Sequence, residues 1–131
     1  MRKFLITRVR SFRNAIRGWW FVIRTQQNAW IHAVVTVLVI LMAFWLALPL
    51  RDWAVLFLAI AMVWAAEFFN SSIEAVVDLA SPSQHPLAKV GKDVGAASVL
   101  IAACTSILVG LLILGPPLWE RIVAFIDGVG F

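Results

Sequence analysis

Glu67, Asn70, Glu74 and Asp78 stand three to four residues apart in a stretch that is otherwise almost wholly apolar. On a helix turning 100° per residue, the three acids fall within about 40° of one another, and Asn70 within about 80° of all three. They form one polar stripe, with Glu67 and Glu74 two turns and roughly 10 Å apart along the axis. Carboxylates are costly inside a membrane helix and are by default functional there. Beyond the helix come His85, Lys89, Lys92 and Asp93. Carboxylates beside lysines suit Mg²⁺ and polyphosphate: the hard cation takes oxygen ligands and shares them with phosphates, and a lysine supplies a point charge. A carboxylate free of metal can accept the proton of an attacking hydroxyl. A kinase fits this inventory, but a P-loop kinase does not, because no GxxxxGK[ST] occurs and Gly91-Lys92-Asp93 lacks the upstream glycine.

Blander readings exist for each residue. Glu67 and Glu74 could be interhelical glue or part of an ion path. His85 could be a loop or cap residue, Asp78 a solvated helix-end charge, and Asp93 a partner of a helix dipole. Lys89 is read as an inside-facing anchor.

The elements that must carry these residues follow from composition. Of 131 residues, 63% are hydrophobic and 14% charged, and the mean hydropathy is +0.94. Soluble domains average about 45–50% apolar and about 25% charged, so the solvent of much of this surface is lipid. Length gives one domain. No Asp, Glu, Lys or Arg occurs from Thr25 to Leu50. A first span is expected over about 30–50, ended by Pro49 and Arg51-Asp52. A second is expected over about 53–79, carrying the stripe. Ser81-Pro82-Ser83-Gln84-His85-Pro86 reads as a loop, with Pro86 suited to a helix first turn. A third span is expected over about 87–114, stopped by Gly115-Pro116-Pro117, leaving a short tail over 116–131 with no assigned role. Cys104 is read as packing filler. The fold class expected is all-α.

The first 24 residues hold seven Lys or Arg and no acid. Arg8 and Arg10 interrupt what would be the apolar core of a signal peptide, so the segment is expected to be retained. Leu5, Val9, Phe12, Ile16, Trp20 and Ile23 share an arc of about 80°, and Arg10, Arg13, Arg17 and Arg24 an adjacent one. This reads as an amphipathic helix over 1–28 lying in the membrane interface, its arginines meeting headgroups and not nucleic acid. The positive-inside tendency puts the N-terminus and the Ser81–Lys92 loop in the cytoplasm and the C-terminus outside. Trp30, Trp53 and Trp119 lie near span ends, as interfacial aromatics do.

The residues from Glu67 to Asp78 closely resemble the E-x-x-N-[ST]-x-I-E-x-x-x-D signature of the bacterial diacylglycerol kinase/undecaprenol kinase family. His85-Pro86-Leu87-Ala88-Lys89-Val90-Gly91-Lys92-Asp93 resembles the family's H-x-L-x-x-x-x-K-D segment, and Asn28-Ala29-Trp30-Ile31-His32 its N-x-x-I-H. The resemblance covers about residues 12–115. It implies transfer of the γ-phosphate of Mg-ATP to a lipid hydroxyl by a homotrimer of the inner membrane, with sites between subunits at the cytoplasmic face. It also implies Glu67 as general base, Asn70 as a positioning group and Glu74 as a metal ligand. Lys92 and Asp93 would contact nucleotide, with Asp78 and His85 at the nucleotide end. One departure is Gln26, where many members carry an acid that is a second metal ligand. A carbonyl oxygen without charge would weaken metal binding, lower the metal count or change the water structure. A catalytically poor member serving as a channel, transport or scaffold subunit is the alternative. The segment from His85 to Lys89 looks more like the undecaprenol branch than the diacylglycerol branch.

Overall fold

The computed structural model describes residues 2–81 and 85–128, with side chains from residue 6 onward. Pro82, Ser83 and Gln84 of the expected loop and the last three residues of the tail lie outside the described residues, as does the side chain of Leu5 of the expected apolar arc. The fold is four helices in chain order: α1 (Arg2–Thr25), α2 (Gln27–Trp45), α3 (Leu50–Ala80) and α4 (Pro86–Ile126). Three of them, α2, α3 and α4, are long and apolar enough to cross a membrane.

α1 and α2 are separated by Gln26 alone, which takes an extended conformation (φ −101°, ψ 117°). The arc residues Val9, Phe12, Ile16 and Trp20 are exposed. α1 is held at its C-terminal end instead, where Val22 packs with Ala29 and Trp64. Trp19 stacks on Trp64 with ring centroids 5.0 Å apart and lies at the same distance from Phe68.

α2 stops at Trp45, earlier than the Leu50 expected from hydropathy. The Ala47 N–H donates to the Phe44 carbonyl and the Leu48 N–H to the Ala43 carbonyl, with Ala47 at φ 53°. This is a Schellman ending with alanine where glycine is usual. Arg51 and Asp52 therefore belong to the first turn of α3, which Pro49 precedes. Leu46, Leu48 and Ala43 pack on Leu56 and Leu114 and so tie this turn to α3 and α4.

The expected stop at Gly115-Pro116-Pro117 is overturned: α4 runs through both prolines to Ile126. Gly115 does not take the positive φ of a helix terminator, whereas Gly128 does (φ 68°) and stands two residues past Ile126, the usual place for one. The prolines cost the amide bonds to the Leu112 and Ile113 carbonyls. Those residues border a cleft of about 330 Å³ beside the α2–α3 turn, near the expected outer membrane face, where water and headgroups can serve freed carbonyls. Arg121 on the continued helix lies over the Trp45 ring, 5.1 Å from its centroid. Cys104, expected as packing filler, is exposed on α4.

Candidate functional site

The polar stripe of α3 is graded in exposure. Glu67 is fully buried, Asn70 and Ser71 are 4% exposed, Glu74 is half-buried and the Asp78 side chain is 65% exposed. Counted from Leu50 at 1.5 Å per residue, Glu67 lies about 25 Å along α3 and Glu74 about 36 Å. A hydrocarbon layer about 30 Å thick ends between them. For a layer that begins at Leu50, the stripe would straddle the boundary of lipid and water.

Glu74 is the hub. Its Oε2 accepts from the Gln26 Nε2 at 3.0 Å and its Oε1 from the Asn70 Nδ2 at 3.2 Å. Gln26, set in the single-residue break between α1 and α2, thus reaches α3 across 48 positions of sequence. An acid there would face Glu74 with like charge; the amide instead joins it. Asn70 is placed by close approach of α4: a Cβ on Gly95 would stand 2.5 Å from the Asn70 Oδ1. That oxygen is buried and has no partner among the described residues.

Glu67 sits one layer deeper, above the cluster of Val22, Ala29 and Trp64. Neither of its carboxyl oxygens has a hydrogen-bond partner among the described residues. Its neighbour is His32 of α2, whose Nε2 lies 3.8 Å from the Glu67 Oε2 and is likewise buried and unpartnered. His32 stands edge-on to Trp64 (68° between planes), and Trp64 donates to the Thr36 hydroxyl at 3.3 Å. His32 was visible in the sequence within Asn28–His32 but carried no role there. The available signal was a lone ionisable side chain in a run free of formal charge.

At the water end, Lys92 of α4 pairs with Asp78 of α3 at 2.5 Å, which brings two expected nucleotide contacts together. Asp93 pairs with Lys89 one turn back on its own helix. His85 caps α4, its Nδ1 accepting the Leu87 N–H at 3.2 Å, with Pro86 in the first turn.

No three His, Cys, Asp or Glu side chains converge as a metal cage among the described residues. Glu74 keeps spare lone pairs on both oxygens, however. A cation bound by one or two protein groups and otherwise by phosphate and water, as Mg²⁺ commonly is, fits this donor set.

A family model described as prokaryotic diacylglycerol kinase matches residues 13–114. The chain belongs to the prokaryotic diacylglycerol kinase family. It is 38% identical over 109 residues to the undecaprenol kinase of Bacillus subtilis (strain 168), covering 83% of this chain and 89% of that protein. It is 41% identical over 114 residues to a diacylglycerol kinase of Synechocystis, covering 86% of this chain but 65% of that longer protein. With the diacylglycerol kinase of Escherichia coli (strain K12) it shares 32% identity over 93 residues, 66% of this chain and 76% of that protein. The family match takes in the Gln26 break, the whole α3 stripe and the start of α4, so every candidate site residue lies within it.

Proposed function

We propose that this membrane lipid kinase transfers the γ-phosphate of Mg-ATP to the hydroxyl of a membrane lipid alcohol at the cytoplasmic face of the bacterial inner membrane, working as a homotrimer. The observation that carries this reading is the graded stripe: a buried, unpartnered carboxyl at lipid depth and a half-exposed carboxylate about 10 Å nearer water on the same helix face. The reaction needs that separation, because one reactant is a hydroxyl arriving in lipid and the other a triphosphate arriving in water.

Glu67 is assigned as the base that receives the hydroxyl proton. Glu74 and the Gln26 carbonyl oxygen are assigned as the protein's metal ligands, with Asn70 holding Glu74 in place. A divalent cation bound there would neutralise phosphate charge, which with positioning is most of what phosphoryl transfer asks of a protein. Lys92, released from Asp78, meets the phosphates, and Asp78, His85 and Asp93 lie at the nucleotide end. The amphipathic α1, with exposed arginines beside exposed aromatic side chains, rests in the cytoplasmic interface. Undecaprenol is placed ahead of diacylglycerol as the alcohol, on the segment from His85 to Lys89.

The test is phosphate transfer from Mg-ATP by purified protein in mixed micelles, with undecaprenol and diacylglycerol offered separately and Glu74→Ala as the blank. Transfer to one alcohol, at least a hundredfold lower in the blank while its oligomeric mass is unchanged, is expected. Full turnover in Glu74→Ala would remove the metal assignment, and no transfer by the unaltered protein would remove the kinase reading.

A further inference from the structure

Two buried polar atoms on neighbouring helices face each other without touching. The His32 Nε2 and the Glu67 Oε2 are 3.8 Å apart, too far for a hydrogen bond. Both are buried and neither has another partner among the described residues. Unpaired buried polar groups are expensive, and when they occur as a facing pair they define a place for a third polar atom. Both atoms are closed off from solvent, so the two side chains would have to part slightly to admit an oxygen about 2.8 Å from each, and that oxygen would have to donate one hydrogen bond and accept another. A carboxylate oxygen only accepts, and an imidazole N–H only donates. The oxygen that satisfies both is a hydroxyl, its proton toward Glu67 and a lone pair toward His32.

The surroundings select the kind of hydroxyl. His32 also lines an apolar cavity of about 480 Å³ between α2, α3 and α4. Of the cavity's three polar side chains, Thr36 accepts from Trp64 and Ser106 donates to the Ala59 carbonyl. The His32 Nε2 is left over. An unpartnered polar atom beside a buried carboxyl, on a side chain that lines an apolar cavity, suits the polar terminus of a hydrocarbon chain better than free water.

We infer that His32 is a catalytic residue of the lipid side, donating from Nε2 to the oxygen of the acceptor hydroxyl while Glu67 takes its proton. This rests on the kinase reading above and specifies its acceptor site. In the transfer, the hydroxyl oxygen forms a bond to the γ-phosphorus as its proton passes to Glu67. The bond from that phosphorus to the bridging oxygen breaks, and ADP leaves with the electron pair. In the loose transition state usual for this chemistry, the nucleophile carries little charge. The contribution of His32 is therefore aim: it fixes which lone pair of the hydroxyl points at phosphorus.

The experiment compares the unaltered protein, His32→Leu and His32→Gln in micelles, the glutamine retaining an N–H donor on a side chain of similar reach. Three quantities are read: transfer to the lipid alcohol, the KM for Mg-ATP, and the ratio of affinities for the alcohol and for its analogue with hydrogen in place of the hydroxyl. Loss of one hydrogen bond to the hydroxyl should shrink that ratio roughly fivefold in His32→Leu. Transfer should fall tenfold or more, with the Mg-ATP KM unchanged, and His32→Gln should recover most of both losses. An unchanged affinity ratio in His32→Leu, or a glutamine variant as impaired as the leucine one, would overturn the inference. So would a parallel rise in the Mg-ATP KM. Failure of the kinase reading is separately visible, because then the unaltered protein transfers no phosphate.

Discussion

Asn70 and Gly95 show how narrowly the site is built at the level of single residues. The hydrogen bond that Asn70 gives to Glu74 requires α4 to pass with no side chain at position 95. Gly95→Ala would drive a methyl group into the Asn70 carboxamide and should cost about 1–3 kcal/mol, the usual range for overpacking. Transfer should fall tenfold or more as Glu74 loses its support. Adding Asn70→Ala to Gly95→Ala removes the atoms that clash, so the double variant should melt above the Gly95→Ala single while remaining poorly active. Thermal melts of the two would decide it, and equal melting temperatures would place the strain elsewhere. The stripe itself was readable from sequence, since its periodicity on a helix is fixed by geometry. The partners were not. Gln26 meets Glu74 across 48 positions, and His32 meets Glu67 across a helix interface that no local pattern encodes.

Among the elements, α1 is joined to the rest through a small aromatic contact. Trp19 against Trp64 and Phe68 fastens the end of α1 that leads into Gln26. Trp19→Ala should loosen that end without unfolding the spans. Trypsin should then cut after Arg24 several-fold faster, as expected when local opening becomes easier, and transfer should drop because Gln26 is held less firmly against Glu74. An unchanged cleavage rate would show that α1 is fastened by other contacts. The number and order of helices were legible from hydropathy and punctuation, but two ends were not. α2 closes on Ala47 in a left-handed conformation, where the glycine that would have announced the ending is missing. α4 ignores Gly115-Pro116-Pro117 because a proline pair removes amide donors but not helical φ, and its true terminator is the Asp127-Gly128 step.

For the molecule as a whole, the single chain leaves most of its large apolar side chains uncovered. Phe57, Leu58, Leu100, Ile101, Leu111 and Leu112 are all more than half exposed. Lipid, and in the proposed homotrimer the neighbouring subunits, would cover them. In the orientation proposed above, three crossing helices would put the two termini on opposite sides, with the arginines of α1 facing the cytoplasm. In a Cys104→Ser background, a cysteine at Asp127 should react with a membrane-impermeant maleimide in intact cells or right-side-out vesicles. A cysteine at Thr7 should react only after lysis. The reverse pattern would invert the orientation given above. Charge bias is what the sequence offers on orientation, whereas a lateral face between the proposed subunits would be spread thinly over three apolar helices and leave no local mark.

The spans differ greatly in length. At 1.5 Å per residue, α2 with 19 residues is about 28 Å long, α3 with 31 about 46 Å, and α4 with 41 about 61 Å. The two long helices can slide or lean as the bilayer thickens or thins, but α2 has no slack. Hydrophobic mismatch therefore falls first on the shortest member. That member begins right after Gln26 and carries His32 about one and a half turns from its start at Gln27. In the proposed reaction, the depth at which the lipid hydroxyl meets the phosphate end would thus be geared to bilayer thickness through α2.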